Sequence, residues 1–351
     1  MKNLVAVAFS ALTLGGCASV GPTTVSRDRF DYVEAISDSW KRQTLLNLLK
    51  VRYADAPVFL DITSVISSYE FRGQAGIFGQ QAPQGRAGDS FIGADINGSY
   101  TDRPTITYSP LSNDKFARSL MAPIPVPGIV LLMQAGYPAD VVLRICANSV
   151  NGISNSYGGR GDAHGDPRYQ ELMELMRMAQ ADGVLGLYSK KEADQSVVRM
   201  FLRGPEPKVA QYRRIGELLG LSPGVREFTL VYGAQPSQPD EIAVQSRSMM
   251  QVLVDFGSYI EVPQRDIDEG RVYVAARDPE TTKLFPPLLH VHWAAKLPDD
   301  AHVAVHYRDA WFWIDDRDHL SKAAFNFLML LFSLTETGPT QAAPLVTVPA
   351  R

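Results

Sequence analysis

Residues 289–334 read LHVHWAAKLPDDAHVAVHYRDAWFWIDDRDHLSKAAFNFLMLLFSL, and their pattern changes character once. Leu289–Trp293, Val303–Tyr307 and Trp311–Ile314 are short, aromatic or β-branched and partly alternating, which predicts three strands. Ser321–Leu334 is apolar nearly all round, which predicts a buried helix, well short of the roughly twenty residues that cross a bilayer. Strands followed by a covering helix are the mark of an antiparallel sheet packed on one face.

The same order occurs twice upstream. Val184–Tyr188 and Val197–Leu202 precede an expected helix at Pro207–Leu219, and Arg226–Tyr232 and Glu241–Gln245 precede one at Ser248–Phe256. The predicted fold class is therefore α+β: antiparallel strand pairs, each followed by a packing helix, in two subdomains. The units share a topology and not their residues, so they are no sequence repeat.

Nearer the N-terminus, Phe30, Val33, Ile36 and Trp40 keep helical spacing across an expected helix at 27–52, which Pro57 terminates. Val58–Phe71 predicts one long strand or two joined by a bend, and 73–90 a Gly/Gln loop. Strands follow at Phe91–Thr101 and Thr105–Tyr108, joined through a turn at Asp102-Arg103-Pro104. Helices are expected at Lys115–Met121, Ile129–Ala135 and Ala139–Ala147. Residues 151–165 form a second Gly-rich loop, after which Asp166-Pro167 opens a helix with Tyr169, Leu172, Met173 and Met176 on one face. The expected domains are 27–150 and 151–337, both α+β, with a loose Pro-rich tail at 338–351.

Residues 1–19, MKNLVAVAFSALTLGGCAS, carry a positive start and an apolar run from Leu4 to Leu14, the form of an export signal peptide spanning 1–16. Leu14-Gly15-Gly16-Cys17 resembles the lipobox of bacterial prolipoproteins. That resemblance implies a diacylglyceryl group on the Cys17 thiol, cleavage before Cys17, and acylation (palmitate) of its amine. Several chains on one residue make a stable anchor, since each buried methylene adds about 0.8 kcal/mol. Ala18 and Ser19, with no Asp after the cysteine, imply sorting to the outer membrane, facing the periplasm. Residues 17–26 are then a short lipidated tether of Gly, Pro, Ser and Thr. Residues 45–62 and 311–334 are also similar to segments of uncharacterised proteobacterial outer-membrane lipoproteins, a resemblance that carries no activity.

A formal net charge of −4, with no runs of Lys or Arg, excludes a nucleic-acid footprint and a polybasic lipid patch. The membrane partner is reached through acyl chains alone. Apart from Cys17 there is one cysteine, Cys146, so no internal disulfide forms; its apolar surroundings predict a small buried hydrophobe.

Three groups carry possible chemistry. His290 and His292 alternate on one expected strand, and His302 and His306 on the next; paired through Pro298-Asp299-Asp300 they would share one sheet face and could hold a divalent metal. The same spacing also suits four histidines on a solvated face. Asp315, Asp316 and Asp318 could serve acid/base chemistry or a cation, or cap the following helix. Gly158–Gly165 offers amides before a helix start but has neither the GxxxxGK[ST] nor the GxGxxG order, and reads as a surface loop. GxSxG, SxxK and HExxH are absent. The expected function is accordingly a scaffold or binding module for another envelope protein, with no cofactor beyond the Cys17 lipid. The alternatives are an envelope hydrolase or metal-binding protein using the histidine group, and a ring-forming component of an export machine.

Overall fold

The computed structural model describes residues 20–66, 69–80, 91–102, 105–110, 114–159, 164–192, 195–274 and 279–335. Cys17 and the 338–351 tail lie outside them. The fold is α+β, as the strand-then-helix order predicts. The chain divides into two units, Val58–Asn113 and the remainder. One sheet draws strands from both sides of the boundary expected at residue 150. Strand β5 (Ala147–Val150) hydrogen-bonds to β10 (Glu241–Ser246), so a cut at 150 would pass through a ladder.

The larger unit begins with helix α1, Val20–Arg52. It starts inside the stretch expected to be a flexible tether. Pro22 is tolerated there because a proline in the first turn removes an amide that has no helical acceptor anyway. Helices α2 (Asp114–Met121), α3 (Val126–Gln134) and α4 (Ala139–Cys146) follow close to their predicted positions. After β5 and the two-residue β6 (Ile153–Ser154), α5 spans Pro167–Ala181. Asp166 caps it, its carboxylate accepting from the Arg168 amide, and Tyr169, Leu172, Met173 and Met176 are buried as their spacing predicts.

Strands β7 (Leu185–Glu192), β8 (Gln195–Leu202) and β9 (Glu227–Tyr232) complete a six-stranded sheet in the order β6-β5-β10-β9-β8-β7. One pair departs from expectation, because β9 and β10 run parallel. Their ladder is only four pairs long, Glu241 opposite Thr229 to Val244 opposite Tyr232. The link from 233 to 240 therefore has to reach back only about 10 Å along the strand direction, within the span of eight residues. The helix expected at Pro207–Leu219 is two, α6 (Glu206–Gln211) and α7 (Arg213–Leu219), broken at Tyr212. The Tyr212 ring is buried and its hydroxyl donates to Asp182 Oδ2 at 2.5 Å. On this sheet α3 and α5 bury Ile129, Met133, Leu172 and Met176 with Met200, Ile242 and Val244.

A second core lies around α8 (Met249–Ser258), which a Ser248/Gln251 capping box starts. Short helices α9 (Gln264–Asp268) and α10 (Pro279–Leu284) lead to β11 (His292–Ala294), β12 (Ala301–Tyr307) and β13 (Ala310–Asp315), and α11 (His319–Thr335) closes the described chain. Leu45, Leu48 and Leu49 of α1 and Phe325 and Leu328 of α11 are fully buried with Leu253, Phe312 and Ile314. Full burial of each such side chain is worth about 1.5–3 kcal/mol. Among the described residues no helix is long and apolar enough to cross a membrane.

The smaller unit is built from β1 (Leu60–Ile66), β2 (Tyr69–Gln80), β3 (Phe91–Asp102) and β4 (Thr105–Pro110). Val58–Phe71 is thus two strands, and residues 73–80, expected in a loop, continue β2. The pairing explains this: Tyr69–Gln80 match Asp102–Phe91 one to one without a register shift, so the glycines sit inside a continuous ladder. The β1–β4 ladder runs from Leu60 opposite Pro110 to Ile66 opposite Thr105, with one bulge after Ile62.

Candidate functional site

The four histidines do not form one group. The three-stranded sheet has the order β11-β13-β12, so β13 separates the two strands expected to pair directly. Chain connection decides one side of this: Tyr307 pairs with Ala310 across the two-residue Arg308-Asp309 link, so β12 and β13 form a tight hairpin, with Ala310, Phe312 and Ile314 buried on one face of β13. On the opposite face His292 pairs across from Trp313 and His306 from Trp311, with ring centroids 5.2 and 5.3 Å apart. His290 stacks on His292 at 6.5 Å. The imidazoles thus pack on indoles or on each other, and His292 Nδ1 lies 3.2 Å from Glu261. Among the described residues no set of three or more His, Cys, Asp or Glu is gathered closely enough to hold a metal ion.

His302 is apart from the rest, 3.5 Å from Asp316, with its Nε2 buried and without a hydrogen-bond partner. Burial depresses its pKa below the ordinary histidine value, and Lys41 and Lys322 add to this against the opposing pull of Asp316.

The acidic turn is a capping and ion-pair device. Asp318 accepts from the Ser321 amide at 3.0 Å and its hydroxyl at 2.6 Å, which also holds its carboxyl below the ordinary range. Asp315 accepts from the Arg317 amide and guanidinium, and Asp316 from Lys322 at 3.1 Å. Each carboxylate therefore has a structural partner. Ser321 is fully buried and in turn accepts from the His290 amide at 2.8 Å.

The second Gly-rich loop is not wholly a surface loop. Asn155, Ser156, Gly158 and Gly159 are buried, while 160–163, with the Arg160-Gly161-Asp162 triplet, lie outside the described residues. The Gly158 amide donates to a carboxylate, but the carboxylate is internal: Asp255 Oδ1 at 2.6 Å. Asp255 Oδ2 accepts from Arg247 Nη1 at 2.9 Å, and Arg247 is completely buried. Its remaining donors go to Asn148 Oδ1 and to the carbonyls of Arg144 and Ser156. One guanidinium therefore ties β10, α8, the end of α4 and the loop together. Cys146 nearby is fully buried, and desolvation pushes its thiol up to about 12, so it is inert packing.

A cleft absent from the sequence reading lies where α6 and α7 meet the ends of β8 and β9. It encloses about 430 Å³, within the range of small-ligand pockets, over a floor of Leu202, Val209 and Phe228. At its mouth Glu206 receives Arg226 and, at 3.4 Å, Arg213. The lining holds no histidine, cysteine or lysine. Its signal in sequence is faint, because Glu206, Arg213 and Arg226 come from three separate elements.

The remaining surface of note is the β2–β3 ribbon. It is a sheet of only two strands, twelve residues each, and among the described residues no third strand pairs with it. Arg72, Gln74, Asp95, Asn97 and Ser99 are exposed on it. A lone two-stranded ribbon is at best marginally stable in water, and its outer edges are templates for another strand. No family model, curated protein or solved structure matches the chain.

Proposed function

We propose that the protein is a lipid-anchored scaffold of the bacterial outer membrane, facing the periplasm, which binds another envelope component by strand addition along the β2–β3 ribbon. The observation that carries the binding half is the ribbon itself, a two-stranded sheet that needs further strands to become stable. The anchoring half is supported by the lipobox, Leu14-Gly15-Gly16-Cys17. His292, His306 and the aspartates argue for scaffolding over hydrolysis, since their side chains are committed to indoles, helix caps and ion pairs.

Two measurements test the reading. Mass spectrometry of the mature N-terminus is expected to show acylated Cys17, and Cys17→Ser to release a folded soluble protein; cleavage elsewhere removes the anchor. Photocrosslinking from Ser99 in intact cells is expected to trap a partner, and Gln74→Pro with Asn97→Pro to abolish the adduct, because proline cannot complete a ladder. An adduct indifferent to the prolines sinks strand addition.

A further inference from the structure

We infer that the β2–β3 ribbon is this chain's share of a transmembrane β-barrel closed by further copies of the same chain, with one ribbon face toward lipid and the other toward an aqueous lumen. The inference rests on the strand-addition reading above and names the partner.

Register separates the two faces chemically. Phe71 lies opposite Tyr100, Ala75 opposite Ile96 and Ile77 opposite Ala94, with Gly73 and Gly98 between them. From Phe71 to Gly79 and from Ile92 to Tyr100, this face has no ionisable position with a pKa below that of tyrosine. On the other face Arg72 lies opposite Ser99 and Gln74 opposite Asn97, and Asp95 accepts from Asn97 at 3.1 Å. Such alternation, apolar outward and polar inward, is what a lipid-facing barrel strand requires. Phe78 and Phe91 are exceptions, and both sit within three residues of the ribbon's tip.

Length agrees with the same reading. Strands of twelve residues extend about 40 Å at about 3.3 Å each, and tilted by about 45° they cover about 28 Å, against an apolar band of about 25 Å in outer-membrane barrels. Tyr69, Phe71 and Tyr100 hold register positions at the end of the ladder away from the Gln80–Phe91 pair, where an interfacial aromatic girdle belongs. The lipid core admits no unpaired edge, so each ribbon's two edges must meet neighbours. Identical copies satisfy this head to tail, the β2 edge of one meeting the β3 edge of the next, and such a contact closes into a ring. Bacterial barrels have at least about eight strands, which at two per chain means about four copies or more.

The test uses the full acylated chain, purified in detergent and reconstituted into vesicles and planar bilayers of phosphatidylethanolamine and phosphatidylglycerol. The expected result is a discrete oligomer on unheated gels and stepwise conductance. Ala94→Asp and Ile96→Asp, on the lipid-side positions, are expected to lower conductance at least tenfold while the thermal unfolding of the larger unit is unchanged. Asn97→Lys, on the lumen side, is expected to retain insertion and shift selectivity toward anions. An oligomer without conductance overturns the membrane-spanning inference and leaves strand addition standing. A monomer that crosslinks to a different envelope protein through the ribbon overturns self-assembly alone, and a monomer with no crosslinked partner overturns both.

Discussion

Arg247 shows how a single buried charge can organise a fold. Among the described residues it is the largest fully buried side chain, and its partners come from an acid eight residues on and from carbonyls and an amide roughly a hundred residues back. Removing one partner of a buried ion pair leaves an uncompensated charge, so Arg247→Ala is expected to cost about 3–5 kcal/mol in urea unfolding. Arg247→Met with Asp255→Leu should recover part of that loss. His302 supplies the pH dependence. Its folded pKa is depressed, so the unfolded chain takes up the proton first as pH falls below about 6.5; the stability it contributes is full above that value and declines through its folded pKa. The carboxyls of Asp315, Asp316 and Asp318 are also depressed, and their contribution is full above about pH 4 and lost in stronger acid. Thermal melts across pH 3–8 should therefore show two falls, and His302→Asn should remove the upper one only.

At the scale of the element, caps, periodicity and the β7–β8 pair are legible in the sequence, and the pairings of β9 with β10 and of β11, β12 and β13 are not. The Asp166-Pro167 start of α5 and the Asp318 cap of α11 follow from residue type and spacing, since both concern neighbours in sequence. Ser248→Ala is expected to lose about 1 kcal/mol by removing the capping box of α8, measured by chemical denaturation. Ala54, just past the end of α1, holds a φ of 58°, where a Cβ is crowded; Ala54→Gly is expected to raise stability by about 0.5–1 kcal/mol. Strand partners were harder. The expected β11–β12 hairpin is replaced because the two-residue Arg308-Asp309 link folds β13 directly onto β12, leaving β11 to pair with the other edge of β13. The Gly/Gln segment at 73–80 read as loop because glycine is a poor strand former locally, yet its partner strand supplies a complete ladder.

At the scale of the molecule, the second core of the larger unit depends on α8 and α1 meeting. Gly257 lies on this contact, and a Cβ added there would stand 3.4 Å from the Leu48 carbonyl oxygen, an ordinary van der Waals distance. Leu48→Ala, fully buried in this contact region, is expected to cost about 2–5 kcal/mol and to lower the unfolding midpoint without altering the ribbon, read by protease protection of each unit. What the sequence determined by itself was local and chemical: the α+β class, the Asp166 and Asp318 helix caps, the buried face of α5 and the burial of Cys146. Those depend on residue type and on separations of a few residues. Only the tertiary structure decided that β9 and β10 run parallel, that the histidines divide across β13, and that Tyr69–Gln80 and Phe91–Asp102 pair in one continuous ladder. Pairing is a competition among strands distant in sequence for the same edge, won by burial and register, and neither quantity exists until the chain has closed on itself.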